Sequence, residues 1–127
     1  MIFDTNFLIA LQRERRRQPG PAHAFLEAHR AERVRIPATV AGEYAEGFES
    51  FDDPACVELL RLFELLDITG ETARRYAAIT RELRGKGQLI GTNDLWIAAS
   101  ALEHSETLVT RNADEFRRIP GLNVVTF

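Results

Sequence analysis

Asp4 follows directly on the apolar opening Met1-Ile2-Phe3, so it stands where a short strand hands over to a helix. Asp94 opens the run Leu95-Trp96-Ile97-Ala98-Ala99-Ser100-Ala101-Leu102, whose small alanines permit close packing. A helix of that composition is buried on most sides, and a carboxylate at its mouth must be hydrogen-bonded, paired or metal-bound. Glu43 flanks a Val40–Tyr44–Phe48 stripe, and Asn112 comes shortly after the apolar run that ends at Thr110. Singly, each acid has a plain explanation. Asp-Thr-Asn are all helix-capping types, an acid in a first turn complements the helix dipole, and most helical glutamates face water. Jointly they ask for more. A mouth lined by three or four carboxylates repels itself, each pair at about 4 Å costing roughly 4 kcal/mol at an effective dielectric near 20. A divalent cation relieves that repulsion, and oxygen-only ligands select magnesium or manganese over zinc.

Other chemistries lack their residues. His23, His29 and His104 show no zinc spacing. Ser50, Ser100 and Ser105 carry no nucleophile-elbow pattern, and Gly85-Lys86-Gly87 lacks the rest of a phosphate-binding loop. A strand-end Asp4 suits a covalent phosphoryl-transfer enzyme, but Asn6 stands where that chemistry needs a second acid. Arg13, Arg15, Arg16 and Arg17 form a basic cluster that either tracks nucleic-acid phosphates or simply solvates a helix end. Tyr44, Tyr76 and Trp96 could stack bases, but each lies on or beside an apolar face, where packing is the expected role.

The elements that must position these groups alternate. An apolar strand over Met1–Asp4 leads into a helix to about Arg17, polar from Gln12 onward and broken by Pro19-Gly20-Pro21. A second helix is expected over Ala22–Arg33, a strand over Val34–Ile36, and a third helix from about Pro37 carrying Val40, Tyr44, Phe48 and Phe51. Asp52 or Asp53 before Pro54 caps a fourth helix with Cys56, Leu59, Leu60 and Phe63 inside, and Leu65–Ile68 returns as a strand. Ala73, Tyr76, Ala77, Thr80 and Leu83 mark a fifth helix, and a sixth runs from Thr92-Asn93-Asp94 to about His104. A strand at Thr107–Thr110, a short helix at Asn112–Phe116 and a strand at Val124–Phe127 complete the chain. Such alternation with short connections predicts an α/β fold, a mostly parallel sheet covered on both faces, with its site at the carboxyl ends of the strands.

The chain of 127 residues, 45% hydrophobic, fits one domain over 1–127. Its net charge of −3 argues against generic coating of nucleic acid, although an acidic site contributes several of those charges itself. Lys86 is the one lysine among 16 basic residues, so the basic surface is nearly all arginine. Cys56 stands alone, the opening segment has its apolar part before its arginines, and no run approaches the roughly 20 apolar residues of a membrane span. A cytoplasmic protein without membrane association is the expectation.

Several segments resemble one family in order from end to end. Met1-Ile2-Phe3-Asp4-Thr5-Asn6-Phe7-Leu8-Ile9 resembles the first strand and helix of PIN domains, though only three residues precede Asp4. Ile90-Gly91-Thr92-Asn93-Asp94-Leu95-Trp96-Ile97-Ala98-Ala99 resembles their third acidic motif. Leu108-Val109-Thr110-Arg111-Asn112, then Phe116 and Ile119-Pro120-Gly121-Leu122, resembles their C-terminal segment. At this size the chain is most similar to VapC-type toxins of prokaryotic toxin–antitoxin pairs. The resemblance implies an α/β/α sandwich and an endoribonuclease that leaves 5′-phosphate and 3′-hydroxyl ends. It also implies magnesium or manganese, a homodimer, a cognate antitoxin and a structured RNA substrate such as tRNA or rRNA. It assigns metal binding to Asp4, Glu43 and Asp94 and lines the pocket with Asn6 and Thr110. The fourth family position falls on neutral Asn112, where many relatives carry aspartate; Asp114 and Glu115 are both near enough to supply the charge. Arg111 adjoins the pocket as a further RNA contact. A PIN-like binding module without catalysis is the alternative that Asn112 leaves open.

Overall fold

Neighbouring residues of a strand point to opposite faces of a sheet, yet Ile2 and Phe3 are both fully buried, as are Leu108 and Val109. Helices therefore cover both faces. In the computed structural model, which describes residues 1–127, five short strands form one sheet: β1 (Ile2–Phe3), β2 (Arg35–Pro37), β3 (Glu64–Leu66), β4 (Leu108–Val109) and β5 (Val124–Val125). Their order is β3-β2-β1-β4-β5 and every pair is parallel, with Ile2 opposite both Arg35 and Leu108, and Phe3 opposite Val109. Sequence neighbours lie to one side of β1 and the late strands to the other. The β1–β4 boundary is thus the point where strand order reverses, and a crevice opens there at the carboxyl ends.

Seven helices surround the sheet: α1 (Thr5–Arg16), α2 (Pro21–Ala28), α3 (Ala38–Ala45), α4 (Pro54–Leu60), α5 (Gly70–Gly85), α6 (Thr92–Glu103) and α7 (Ala113–Phe116). Phe3 anchors the aromatic core, with ring centroids 4.5 Å from Phe7, 5.5 Å from Phe63 and 6.0 Å from Phe25. Asp53 caps α4 by accepting from the Ala55 N–H at 2.9 Å. Glu14 of α1 caps α2 from outside it, accepting the Ala22 and His23 N–H groups at 2.8 Å each, because Gly20 has no side chain to do so.

Several elements end earlier than expected: the fourth helix stops at Leu60, so Phe63 packs from outside it, and the following strand is Glu64–Leu66 rather than Leu65–Ile68, with Ile68 exposed. The second helix stops at Ala28 rather than Arg33, since after Leu26 no apolar residue recurs at helical spacing to hold another turn against the core. The third stops at Ala45, before Gly47. Phe48 then packs edge-on to Tyr44 at 5.3 Å from outside the helix, and Phe51 is exposed. On the fifth helix Ala73 faces solvent, and the buried side is Thr72, Ile79, Thr80 and Leu83. No helix is long and apolar enough to cross a membrane.

Candidate active site

The parallel register sets the end of β1 beside the end of β4. The Asp4 N–H donates to the Val109 carbonyl at 3.0 Å, and the Thr110 N–H to the Val125 carbonyl at 3.0 Å. Asp4 is the N-cap of α1 and only 5% exposed. Its Oδ1 accepts from the Thr5 N–H at 2.7 Å; its Oδ2 accepts from Thr110 Oγ1 at 2.6 Å and Asn6 Nδ2 at 3.1 Å. Burial raises its pKa, opposed by the hydrogen bonds from Thr110 and Thr5. A carboxylate has about four lone-pair sites, so one remains open, on Oδ1. Thr110, fully buried, is saturated: its hydroxyl donates to Asp4 and accepts from Asn6 Nδ2 at 3.1 Å and the Asn112 N–H at 3.0 Å. A hydroxyl with its one donor and both acceptor sites filled cannot rotate, and it holds Asp4 in one orientation.

Glu43 reaches the same crevice from α3. Its Oε1 accepts from Thr5 Oγ1 at 3.1 Å, and the Asn93 side chain lies close enough to favour its charged form. Burial first, and the Asp4 charge after it, push its pKa up against those contacts. Asp94 lies in the first turn of α6, where the helix dipole favours an anion. Its pKa is nevertheless pushed up to about 6, by burial and then by Asp4, Glu115 and Glu43 in turn. Neighbouring acids and partial desolvation outweigh the helix.

Asn112 is the N-cap of α7, and its Nδ2 donates to Glu115 Oε2 at 3.1 Å. Glu115 is therefore the α7 acid that faces Asp94. Asp114 is fully exposed and lies 4.0 Å from Arg117, on the solvent side. Thr5, which orients Glu43, and Asn93, which lies beside it, carry no distinctive mark in the sequence pattern. Each immediately neighbours a candidate acid, and a polar residue in that position is the only signal available.

No basic side chain pairs with Asp4, Glu43, Asp94 or Glu115. The donors are all oxygen, which fits a hard divalent cation and not zinc. No three of the chain's acidic, histidine or cysteine side chains are gathered into a ready ligand group. A magnesium ion takes only one or two carboxylates as direct ligands and fills the rest of its shell with water, so it does not require three acids gathered together. The residues fit such an ion.

The basic cluster on α1 fans out. Arg15 pairs with Glu58 at 3.4 Å, and Arg17 lines a separate hollow with Gln18 and His23. Arg13 is exposed. Arg16 alone joins Glu43, across a cleft of about 570 Å³ walled by Ile9 and Gln12 of α1 and by Tyr44 and Phe48. Tyr44 is core, and Tyr76 and Trp96 stack on each other between α5 and α6 with centroids 4.0 Å apart. Arg111, by contrast, flanks the crevice.

Fold and site together define a class, an α/β/α domain with unpaired carboxylates converging at the carboxyl ends of a parallel sheet. The PIN domain family model matches residues 1–122. Ribonuclease VapC1 of Rickettsia felis is 31% identical over 134 residues, covering 99% of this chain and 95% of that protein. Ribonuclease VapC2 of the same organism is 43% identical over 63 residues, about half of each chain (50% and 47%). Among solved structures, VapBC2 from Rickettsia felis bound to a promoter DNA fragment superposes with a TM-score of 0.86 at 28% identity, covering 100% of this chain and 99% of that one. DNA-bound VapBC from Salmonella typhimurium gives 0.81 at 26% identity, covering 98% and 96%. The chain belongs to the PIN domain family, as a member of its VapC type.

Proposed function

We propose that the chain is a divalent-metal-dependent endoribonuclease and the toxin of a VapBC-type pair. The observation that carries the reading is the set of Asp4, Glu43, Asp94 and Glu115, converging on one crevice with no basic partner. In this reading Asp4 and Asp94 bind the cation directly, magnesium or manganese, and Glu43 holds it through water or helps form a second site. The Asn112–Glu115 pair is the fourth corner, with Glu115 bringing the charge that Asn112 lacks. Asp4, Asp94, Glu43 and Glu115 would hold a divalent cation there, and that cation would supply activation of a water and relief of negative charge at the scissile phosphate. The chain's own residues set the geometry. Thr110 and Asn6 hold Asp4 through Oδ2, which leaves one acceptor site on Oδ1 for a cation, and Thr5 holds Glu43 through Oε1. Because water attacks and the ribose 2′-hydroxyl does not, the products carry 5′-phosphate and 3′-hydroxyl ends. The relatives' names and complexes support an RNA substrate and a cognate antitoxin for this chain. A homodimer in the cytoplasm is part of the same proposal.

The test compares wild type with Asp94→Asn on total RNA, with manganese or with EDTA, and maps the new 5′ ends. Discrete 5′-phosphate ends that need both the metal and Asp94 are expected. Full activity in Asp94→Asn removes that residue from the mechanism. Absence of cleavage at every metal concentration, with partner binding intact, establishes the non-catalytic module instead.

A further inference from the structure

Arg111 has an unusual setting for a cation next to an acidic crevice. Its N–H donates to Asn6 Oδ1 at 3.3 Å, and Asn6 Nδ2 donates to Asp4 Oδ2 at 3.1 Å, so its backbone is two hydrogen bonds from the innermost carboxylate. Its guanidinium nevertheless pairs with no acid anywhere in the structure. It lies instead over the ring of Phe127, 4.5 Å from the centroid. Phe127 is itself held edge-on by Phe7, with centroids 4.7 Å apart and planes at 71°, and Phe7 is fully buried in α1.

A long flexible cation beside an acid cluster is drawn toward the acids, where it would compete with a metal ion. The cation–π contact opposes this by holding the guanidinium at the ring, and its N–H groups, on an exposed side chain with no acid partner, remain free to donate. The N–H fork matches two oxygens of a phosphate. We infer that Arg111, stacked on Phe127, is a fixed fork for an RNA backbone phosphate next to the scissile one, with Phe127 as its positioning residue. The polyanion then meets a cation at the rim of a crevice whose interior is anionic. The inference rests on the ribonuclease reading for its substrate, and binding measurements separate the two.

The experiment measures affinity of a labelled single-stranded RNA for the chain in an Asp94→Asn background, across a series of potassium chloride concentrations. Arg111→Ala is expected to weaken binding ~10-fold and to make the log–log salt dependence shallower by about 0.7, the value for one lost phosphate contact on a single strand. Arg111→Lys restores the slope with only part of the affinity. Phe127→Leu keeps the slope and weakens binding about threefold, the scale of an exposed cation–π contact, while Phe127→Trp matches or exceeds the parent. With Asp94 restored, Arg111→Ala raises KM and leaves kcat nearly unchanged. An unchanged salt slope in Arg111→Ala overturns the inference, as do equal losses in Phe127→Leu and Phe127→Trp. Should Phe127→Leu fail to fold, the Arg111 pair and Phe127→Trp still decide. A wild type that cleaves RNA while Arg111→Ala keeps its slope removes this inference alone. A chain that binds RNA through Arg111 but never cleaves it with manganese upholds the fork and removes the nuclease reading.

Discussion

Asp94 and Thr110 stand for two different burdens that a single residue carries in this crevice. Asp94 is held in a place that disfavours its charge, with a pKa pushed up from 3.8 to about 6. A folded-state pKa above the unfolded value means that the metal-free fold is most stable with Asp94 protonated. That contribution is complete below about pH 4 and lost as the pH rises through about 6. Thermal melts in EDTA should therefore show wild type falling behind Asp94→Asn across that window, with the two converging at lower pH; a constant gap removes the coupling. The substitution proposed to abolish cleavage is thus also expected to stabilise the metal-free chain. Thr110 carries the opposite load. Thr110→Val keeps the shape but strips a saturated hydroxyl from Asp4, Asn6 and the Asn112 N–H. A loss of about 1–3 kcal/mol in denaturant unfolding is expected from the unsatisfied groups, together with reduced cleavage as Asp4 becomes free to turn.

At the level of elements, the site depends on where helices begin. Asp4 is the N-cap of α1 and Asp94 lies in the first turn of α6, so the starts of both helices deliver acids to one crevice. α5 does not touch the chemistry but supports α6. Thr69 and Thr72 form a reciprocal capping box at its start, and Glu103 at the end of α6 accepts from both hydroxyls, which holds the Glu103 carboxyl below its ordinary pKa against the cost of burial. Thr69→Ala should cost about 1 kcal/mol in chemical denaturation, the usual value of a lost cap, and leave the metal dependence of cleavage unchanged. A shift in that dependence would mean that α5 tunes the site. Periodicity made these elements legible and blurred their ends. Leu26 is the last residue that anchors α2, but Ala22–Arg33 contains nothing in its local pattern that forbids two further turns. What stops the helix is the lack of anything apolar to pack there.

Over the whole molecule, charge is divided between the two ends of the sheet. At the carboxyl end the acids are unpaired. At the other end Arg35, 8% exposed, pairs with Glu106, which also faces the Met1 ammonium at 3.3 Å. Glu106 pays for desolvation, yet Arg35 and the ammonium together hold its pKa below 4.5. A depressed carboxylate stabilises above its unfolded pKa, and that stability is lost as the pH falls below about 4.5. The two ends therefore respond to pH with opposite sign. Glu106→Gln should destabilise the fold by about 1–3 kcal/mol, the scale of hydrogen bonds to charged groups lost at a partly buried site, and should remove part of the acid-side loss. Cleavage per folded molecule should remain unchanged; a specific loss of activity would show that the far end communicates with the crevice.

The sequence by itself determined the α/β class, because strand and helix periods alternate along the chain and each is a local property. It also offered Asp4, Glu43 and Asp94 as candidates at element boundaries or flanks, and the ordered resemblance to PIN domains, not the local pattern, gave the three a shared role. Tertiary structure decided the rest, for a reason of distance. Asp4 and Thr110 are separated by 106 residues and joined by a 2.6 Å hydrogen bond that only the β1–β4 pairing creates. Asp114 and Glu115 are adjacent and chemically alike, so no pattern separates them; the turn of α7 sends one to solvent beside Arg117 and the other to Asn112. Thr5, Asn93 and Phe127 act through partners brought near by the fold, and a side chain's partner across space leaves no local trace.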